Sequence, residues 1–177
     1  MPPFLENLLS RLRNRIGRPA DSNFSDASFL IANPDFTEAW LGSADQLTPE
    51  RQVRIKGAAA AAAFITNSVN LQLGAVGVAS VEQWQRHRPF VFGYVNGMAI
   101  KVGEAESDDS YEFGLFVSVS ALCFLHGSQA NGPALYEESR SFARAQSPEF
   151  LSGAAAAAKD FALPRGVIPT GLLAVVG

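Results

Sequence analysis

Residues 49–75 read PERQVRIKGAAAAAAFITNSVNLQLGA, and this stretch does most to decide the fold class. Thr48 followed by Pro49 is typical of a helix start. The threonine side chain can accept hydrogen bonds from the free amides of the first turn, and proline has no amide hydrogen that would be left unbonded there. The alanines after Gly57 offer small side chains that let neighbouring helices approach closely. Because Gly74 and Gly77 interrupt the pattern, we predict one long helix from Pro49 to about Ala75.

The same region raises the question of a membrane span. The 25 residues from Gly57 to Val81 carry no formal charge, which is long enough to cross a bilayer. They include several polar side chains, among them Asn67, Asn70 and Gln72, and much of the rest is alanine. We therefore expect no transmembrane helix here. The N-terminus also lacks the pattern of a signal peptide, because its arginines follow the first leucines.

Composition indicates a soluble single domain. The chain has 177 residues, of which 47% are hydrophobic and 18% charged, and its net charge is −3. The pI near 5.4 argues against a nucleic-acid partner, because basic residues outside the first helix are dispersed. Cys123 is the single cysteine, so no intramolecular disulfide can form. We therefore expect a cytoplasmic location.

Further helix starts and stops recur along the chain, such as Ser147-Pro148. They predict helices at 3–16, 34–41, 81–87, 110–126, 133–146 and 148–161. The predicted fold is an all-α bundle of five to seven helices. We divide the chain into a basic amphipathic arm at 1–18, a linker at 19–32 and a single helical domain at 33–177.

The stretch 90–102 allows two interpretations. Asn96-Gly97 between apolar flanks is a strong signal for a small β-hairpin, because both residues tolerate positive φ. As a helix, the stretch would begin at Pro89, and Gly93 and Gly97 would form a small face for close packing. We favour the helix, since an isolated hairpin would have no other strands to join.

The N-terminal helix is the most suggestive functional feature. Residues 1–18 hold four arginines and one glutamate. Its predicted apolar contact residues are Leu5, Leu8, Leu9 and Leu12, and its predicted basic contact residues are Arg11 and Arg15. Such a helix can dock on a partner protein or a second copy of the chain, lie on an anionic membrane, or pack on its own bundle. Trp84 is a further candidate contact, because tryptophan is favoured at interfaces.

Residues that could carry chemistry are few. There are two histidines, and Glu112, His126 and Glu138 form our candidate ligand-binding set inside the bundle. Their spacing matches no established metal motif, so we predict no metal, no cofactor and no catalytic residue. Cys123 lies between two apolar residues and is interpreted as a buried, inert thiol.

Three functional hypotheses remain from the sequence. The first is a non-catalytic helical interaction protein, self-associating or bound to a protein partner, with the amphipathic arm as its contact. The second is an enzyme or sensor that holds a small molecule or metal inside the bundle. The third is a peripheral membrane protein anchored by the helix at 3–16. Because no motif indicates a reaction, we favour the first.

Overall fold

The computed structural model describes residues 49–77, 85–105, 111–126, 132–164 and 167–173. This part of the chain is all-α, as predicted, and contains no strand. Its helices are α1 (Pro49–Ala75), α2 (Arg88–Ala105), α3 (Tyr111–His126), α4 (Gly132–Arg144) and α5 (Pro148–Phe161). The predicted arm at 1–18, linker at 19–32 and helix at 34–41 lie outside the described residues.

Local signals account for several helix ends. The α1 helix spans Pro49–Ala75, the range that the sequence predicts. At the start of α5, the Ser147 hydroxyl accepts a hydrogen bond from the Phe150 amide at 3.5 Å. The α4 helix ends at Arg144, two residues earlier than predicted. The chain turns there, because Gln146 adopts a positive φ of 48° that a helix cannot accommodate.

The hairpin alternative at 90–102 is wrong, because these residues lie inside α2. The predicted helix at 81–87 also differs: its described part, Gln85–His87, is a short 3-10 turn that leads directly into α2. Pro89 does not interrupt the helix, because a proline in the first turn displaces no helical hydrogen bond. The Asn96-Gly97 turn signal is overridden by packing of the helix on its neighbours.

The α2 helix is the centre of the bundle. Eleven of its residues are buried, and they lie all round the helix. It contacts α1, α3, α4 and α5. The α3 helix is antiparallel to it, since Gly114 lies near Ala99 at one end while His126 approaches Arg88 at the other. The α1 helix packs on both α2 and α3. A helix buried on every side acts as the core element around which the others assemble.

Glycines bring α2 and α5 into direct backbone contact. A Cβ atom on Gly93 would lie 2.0 Å from the Phe150 carbonyl oxygen, and one on Gly97 would lie 2.8 Å from the Ala154 Cα. Gly97 lies four residues after Gly93, and its neighbour Ala154 lies four residues after Phe150. The two helices therefore run parallel. On α5, a Cβ on Gly153 would in turn lie 2.1 Å from the Phe90 carbonyl oxygen of α2. These glycines are required because only they permit so close an approach.

None of the helices in the described ranges is both long enough and apolar enough to cross a bilayer.

Candidate functional site

An arginine-centred cluster joins α2, α3 and α4. The Arg88 guanidinium donates two hydrogen bonds to Glu138, one from Nη2 to Oε2 at 2.6 Å and one from Nε to Oε1. Arg88 Nη1 also lies 3.3 Å from His126 Nε2. The same guanidinium stacks 4.8 Å from the centre of the Phe92 ring. Three helices are therefore tied together at one planar cation, whose fork geometry suits a carboxylate.

The cluster is half-buried, and this affects the histidine. The exposed fractions of the Arg88 and Glu138 side chains are 20% and 30%. Burial and the Arg88 charge lower the pKa of His126, and the Glu138 charge acts against them. Because arginine can only donate, a hydrogen bond from Arg88 requires Nε2 of a neutral His126 to be the acceptor. The imidazole proton then resides on Nδ1.

The structure brings together only part of the predicted ligand-binding set. Glu138 and His126 meet across Arg88, which the sequence did not single out for this role. Glu112 lies at the opposite end of α3 from His126, about 21 Å along the axis for a 14-residue separation. The two residues therefore cannot line one small site. Arg88 was visible only as one of several basic residues after Trp84, and its partner lies 50 positions away.

The chemistry of this cluster is that of an ion pair beside a neutral imidazole. Within the described ranges, no three His, Cys, Asp or Glu side chains are grouped so as to hold a metal ion.

Cys123 of α3 is fully buried in the core, as the sequence predicted. Burial raises the pKa of the Cys123 thiol to about 12, so this thiol stays protonated and unreactive at neutral pH.

A second polar group is buried where α1, α2 and α5 meet, and the sequence did not predict it. Gln72 Nε2 donates to the Tyr94 hydroxyl at 3.0 Å, and that hydroxyl donates to Asp160 Oδ2 at 2.7 Å. We name Gln72, Tyr94 and Asp160 the junction triad. Burial and the Asp160 carboxylate raise the pKa of Tyr94 well above its ordinary value of 10.0. The hydroxyl therefore remains a donor to Asp160 at physiological pH.

The junction triad binds a segment near the C-terminus, residues 167–173, which we name the strap. Asp160 accepts hydrogen bonds from two strap amides, Thr170 N at 3.4 Å and Gly171 N at 2.8 Å. Gln72 Oε1 accepts a third from Leu172 N at 2.9 Å. These bonds satisfy the triad's acceptors with main-chain donors, as buried polar groups require.

The chain matches no protein-family model, no curated protein and no solved structure. The predicted contact residues of the arm and Trp84 lie outside the described residues: Leu5, Leu8, Leu9, Leu12, Arg11 and Arg15.

Proposed function

We propose that this chain is a non-catalytic helical interaction protein that self-associates through the amphipathic arm at 1–18. Large apolar side chains at the surface of the bundle carry the proposal. Leu71 is 63% exposed, and on the strap Ile168 is 63% and Val167 45% exposed. Leu71 precedes Gln72, which accepts a hydrogen bond from Leu172 of the strap, so α1 and the strap are neighbours in the fold. We infer that these exposed apolar side chains form the contact site for the arm.

Charge also supports docking of the arm of one copy on the rest of another copy. The arm holds four arginines and one glutamate, whereas the remaining residues hold 10 basic and 16 acidic side chains. The arm is therefore +3 and the rest of the chain −6. Opposite charge speeds the encounter of two surfaces and orients them, while apolar contact supplies most of the affinity. An arm of one copy is thus suited to the body of another.

The test is the mass of the protein in solution by sedimentation equilibrium. We expect the full chain to form a multimer, and the chain without residues 1–18 to sediment as a monomer. A Leu8→Glu/Leu12→Glu variant should behave like the deletion, because both substitutions charge the apolar face. The matched control is Arg13→Gln, which leaves that face intact. An unchanged mass after the deletion would contradict the proposal.

The same variants separate the membrane-anchor alternative. If the arm binds anionic lipid instead, the full chain should be monomeric and should co-sediment with phosphatidylserine vesicles at low salt. An Arg11→Gln/Arg15→Gln variant should then lose this binding, because the arginines provide the attraction to the anionic surface.

A ligand-binding role is the second candidate, favoured by the convergence of His126 and Glu138 on Arg88. It would make the cluster a site for a small polar molecule. Native mass spectrometry of the freshly purified full chain tests it, since a bound molecule would appear as an additional mass. The added mass should be lost in a Glu138→Gln variant if the cluster is the site.

We also propose a cytoplasmic location. The lone cysteine, Cys123, is fully buried, and a protein without disulfides suits a reducing compartment. Fractionation of the source cells tests this location, and recovery from the medium or a membrane fraction would contradict it.

A further inference from the structure

The strap is held by hydrogen bonds from its main chain and by one side chain in the core. Leu172 is its single fully buried side chain, whereas Val167, Ile168 and Thr170 are exposed. The hydrogen bonds that fix it use the amides of Thr170, Gly171 and Leu172. By contrast, α2 buries eleven residues. Leu172 belongs to the hydrophobic core, so departure of the strap would take one side chain out of the core and leave the contacts between the helices in place.

The groups that receive the strap are oriented without it. Gln72 Nε2 bonds to the Tyr94 hydroxyl, and that hydroxyl bonds to Asp160. These three side chains come from α1, α2 and α5, and α2 and α5 are fixed to each other by backbone contact at their glycines. The acceptor atoms that face the strap, on Gln72 and Asp160, are thus held in place by helix packing. Pre-arranged acceptors are what a binding site requires.

The junction also selects the residue at the centre of the segment. A Cβ atom on Gly171 would lie 2.7 Å from Asp160 Oδ2 and 3.1 Å from both Tyr94 Cε2 and the Ala156 Cβ. A side chain at this position would therefore push the segment away from the carboxylate. The next residue, Leu172, is completely enclosed. The junction thus distinguishes a Gly-Leu pair from other sequences by shape.

We propose that the α1–α2–α5 junction is a peptide-binding pocket, which the chain's own strap fills as a removable plug. The pocket recognises three successive main-chain amides, with glycine in the middle and leucine after it. Release of the strap opens the pocket to a peptide of the same pattern. The pocket does not involve the arm at 1–18, although the strap carries Val167 and Ile168, two of the exposed apolar side chains proposed to receive the arm. Peptide binding tests the pocket, and the mass in solution tests the self-association.

The test uses the full chain with Gly171→Ala and a fluorescent heptapeptide, VIPTGLL, that copies residues 167–173. The substitution should release the strap and leave the pocket intact. Amide hydrogen exchange in the strap should then accelerate about tenfold or more, while exchange in α2 stays unchanged. The peptide should bind the variant at least about tenfold more tightly than the unaltered chain, because an occupied pocket is rarely available.

Two controls define specificity. The same peptide with alanine in place of its glycine should fail to bind the variant, and Val167→Ala in the chain should leave the strap closed. Adding Asp160→Asn to the Gly171→Ala chain should weaken peptide binding about tenfold or more, because hydrogen bonds to a charged acceptor are the stronger ones.

Several outcomes would overturn the proposal. A strap that stays protected in the variant would show that the glycine contact does not hold it. A released strap with no peptide binding would show that the pocket does not exist without its own segment. Loss of protection in α2 as well would make strap and core one unit. Protection of the unaltered strap that rises with protein concentration would place it on a second copy.

Discussion

At the scale of single residues, His126 is the group whose surroundings most affect its chemistry. It lies at the end of α3 beside an arginine and a glutamate whose charges oppose each other in their effect on the imidazole. Burial and Arg88 disfavour the protonated form, and these two outweigh Glu138. The ring is thus neutral in the folded protein under conditions where an exposed histidine would begin to take up a proton.

We expect two substitutions to shift the His126 pKa in opposite directions. Glu138→Gln should lower it further, since a stabilising negative charge is lost, and Arg88→Gln should raise it. NMR titration of the imidazole Cε1 protons measures both, and the chain has only two histidines to assign. A titration midpoint at or above the ordinary value of 6.5 in the unaltered protein would contradict the prediction.

The same shift has a consequence for stability. The folded-state pKa of His126 lies below that of the unfolded chain, so the unfolded chain binds the proton more readily. The contribution of His126 to the free energy of unfolding should therefore be constant above pH 6.5. It should fall as the pH drops from 6.5 through the pKa of His126 in the folded protein. A His126→Gln variant should lose this part of the acid sensitivity, which urea unfolding at a series of pH values would show.

At the scale of secondary-structure elements, the α2–α5 interface depends on glycine most strongly. Gly93→Ala and Gly153→Ala each place a methyl group about 2 Å from a carbonyl oxygen on the facing helix. We expect each to lower the free energy of unfolding by about 3 kcal/mol, because the helices must separate to make room. Thermal unfolding followed by circular dichroism measures the loss.

Gly74→Ala is the matched control for these substitutions. Gly74 also lies in a helix, but a Cβ there would meet nothing within 4 Å. Alanine is the better helix former, so this substitution should stabilise the protein by up to about 1 kcal/mol. Equal effects of all three substitutions would show that the contact between α2 and α5 is not the cause.

Element boundaries show what a sequence can and cannot predict. The starts of α1 and α5 were predictable because a cap and a proline act on amides within a few residues. The stretch 90–102 was ambiguous. Asn96-Gly97 is a local turn signal, whereas a glycine is needed at position 93 because of its close contact with Phe150 on α5. Arg88 and Glu138 are 50 positions apart, and Tyr94 and Asp160 are 66 apart. Such pairings depend on the assembled fold, and local patterns do not encode them.

At the scale of the whole molecule, the bundle is a central helix with others packed around it. Opening the buried amides of α2 to water requires the surrounding helices to move, so their hydrogens should exchange only by global unfolding. We expect α2 peptides to exchange most slowly in a hydrogen-exchange experiment followed by mass spectrometry. Peptides from α4, where five of the twelve residues with a described burial are exposed, should exchange sooner. Faster exchange in α2 than in α4 would contradict a central position for α2.

The parallel contact between α2 and α5 also determines the order of events during synthesis. Gly93 and Phe150 are 57 residues apart, so the ribosome must add the intervening chain before the contact can form. At typical elongation rates, this takes about 3–11 s. During that interval the nascent α2 lacks its closest neighbour and presents apolar surface. We therefore expect the growing polypeptide to be prone to aggregation at this stage, and a chaperone that shields α2 to raise the yield of folded protein.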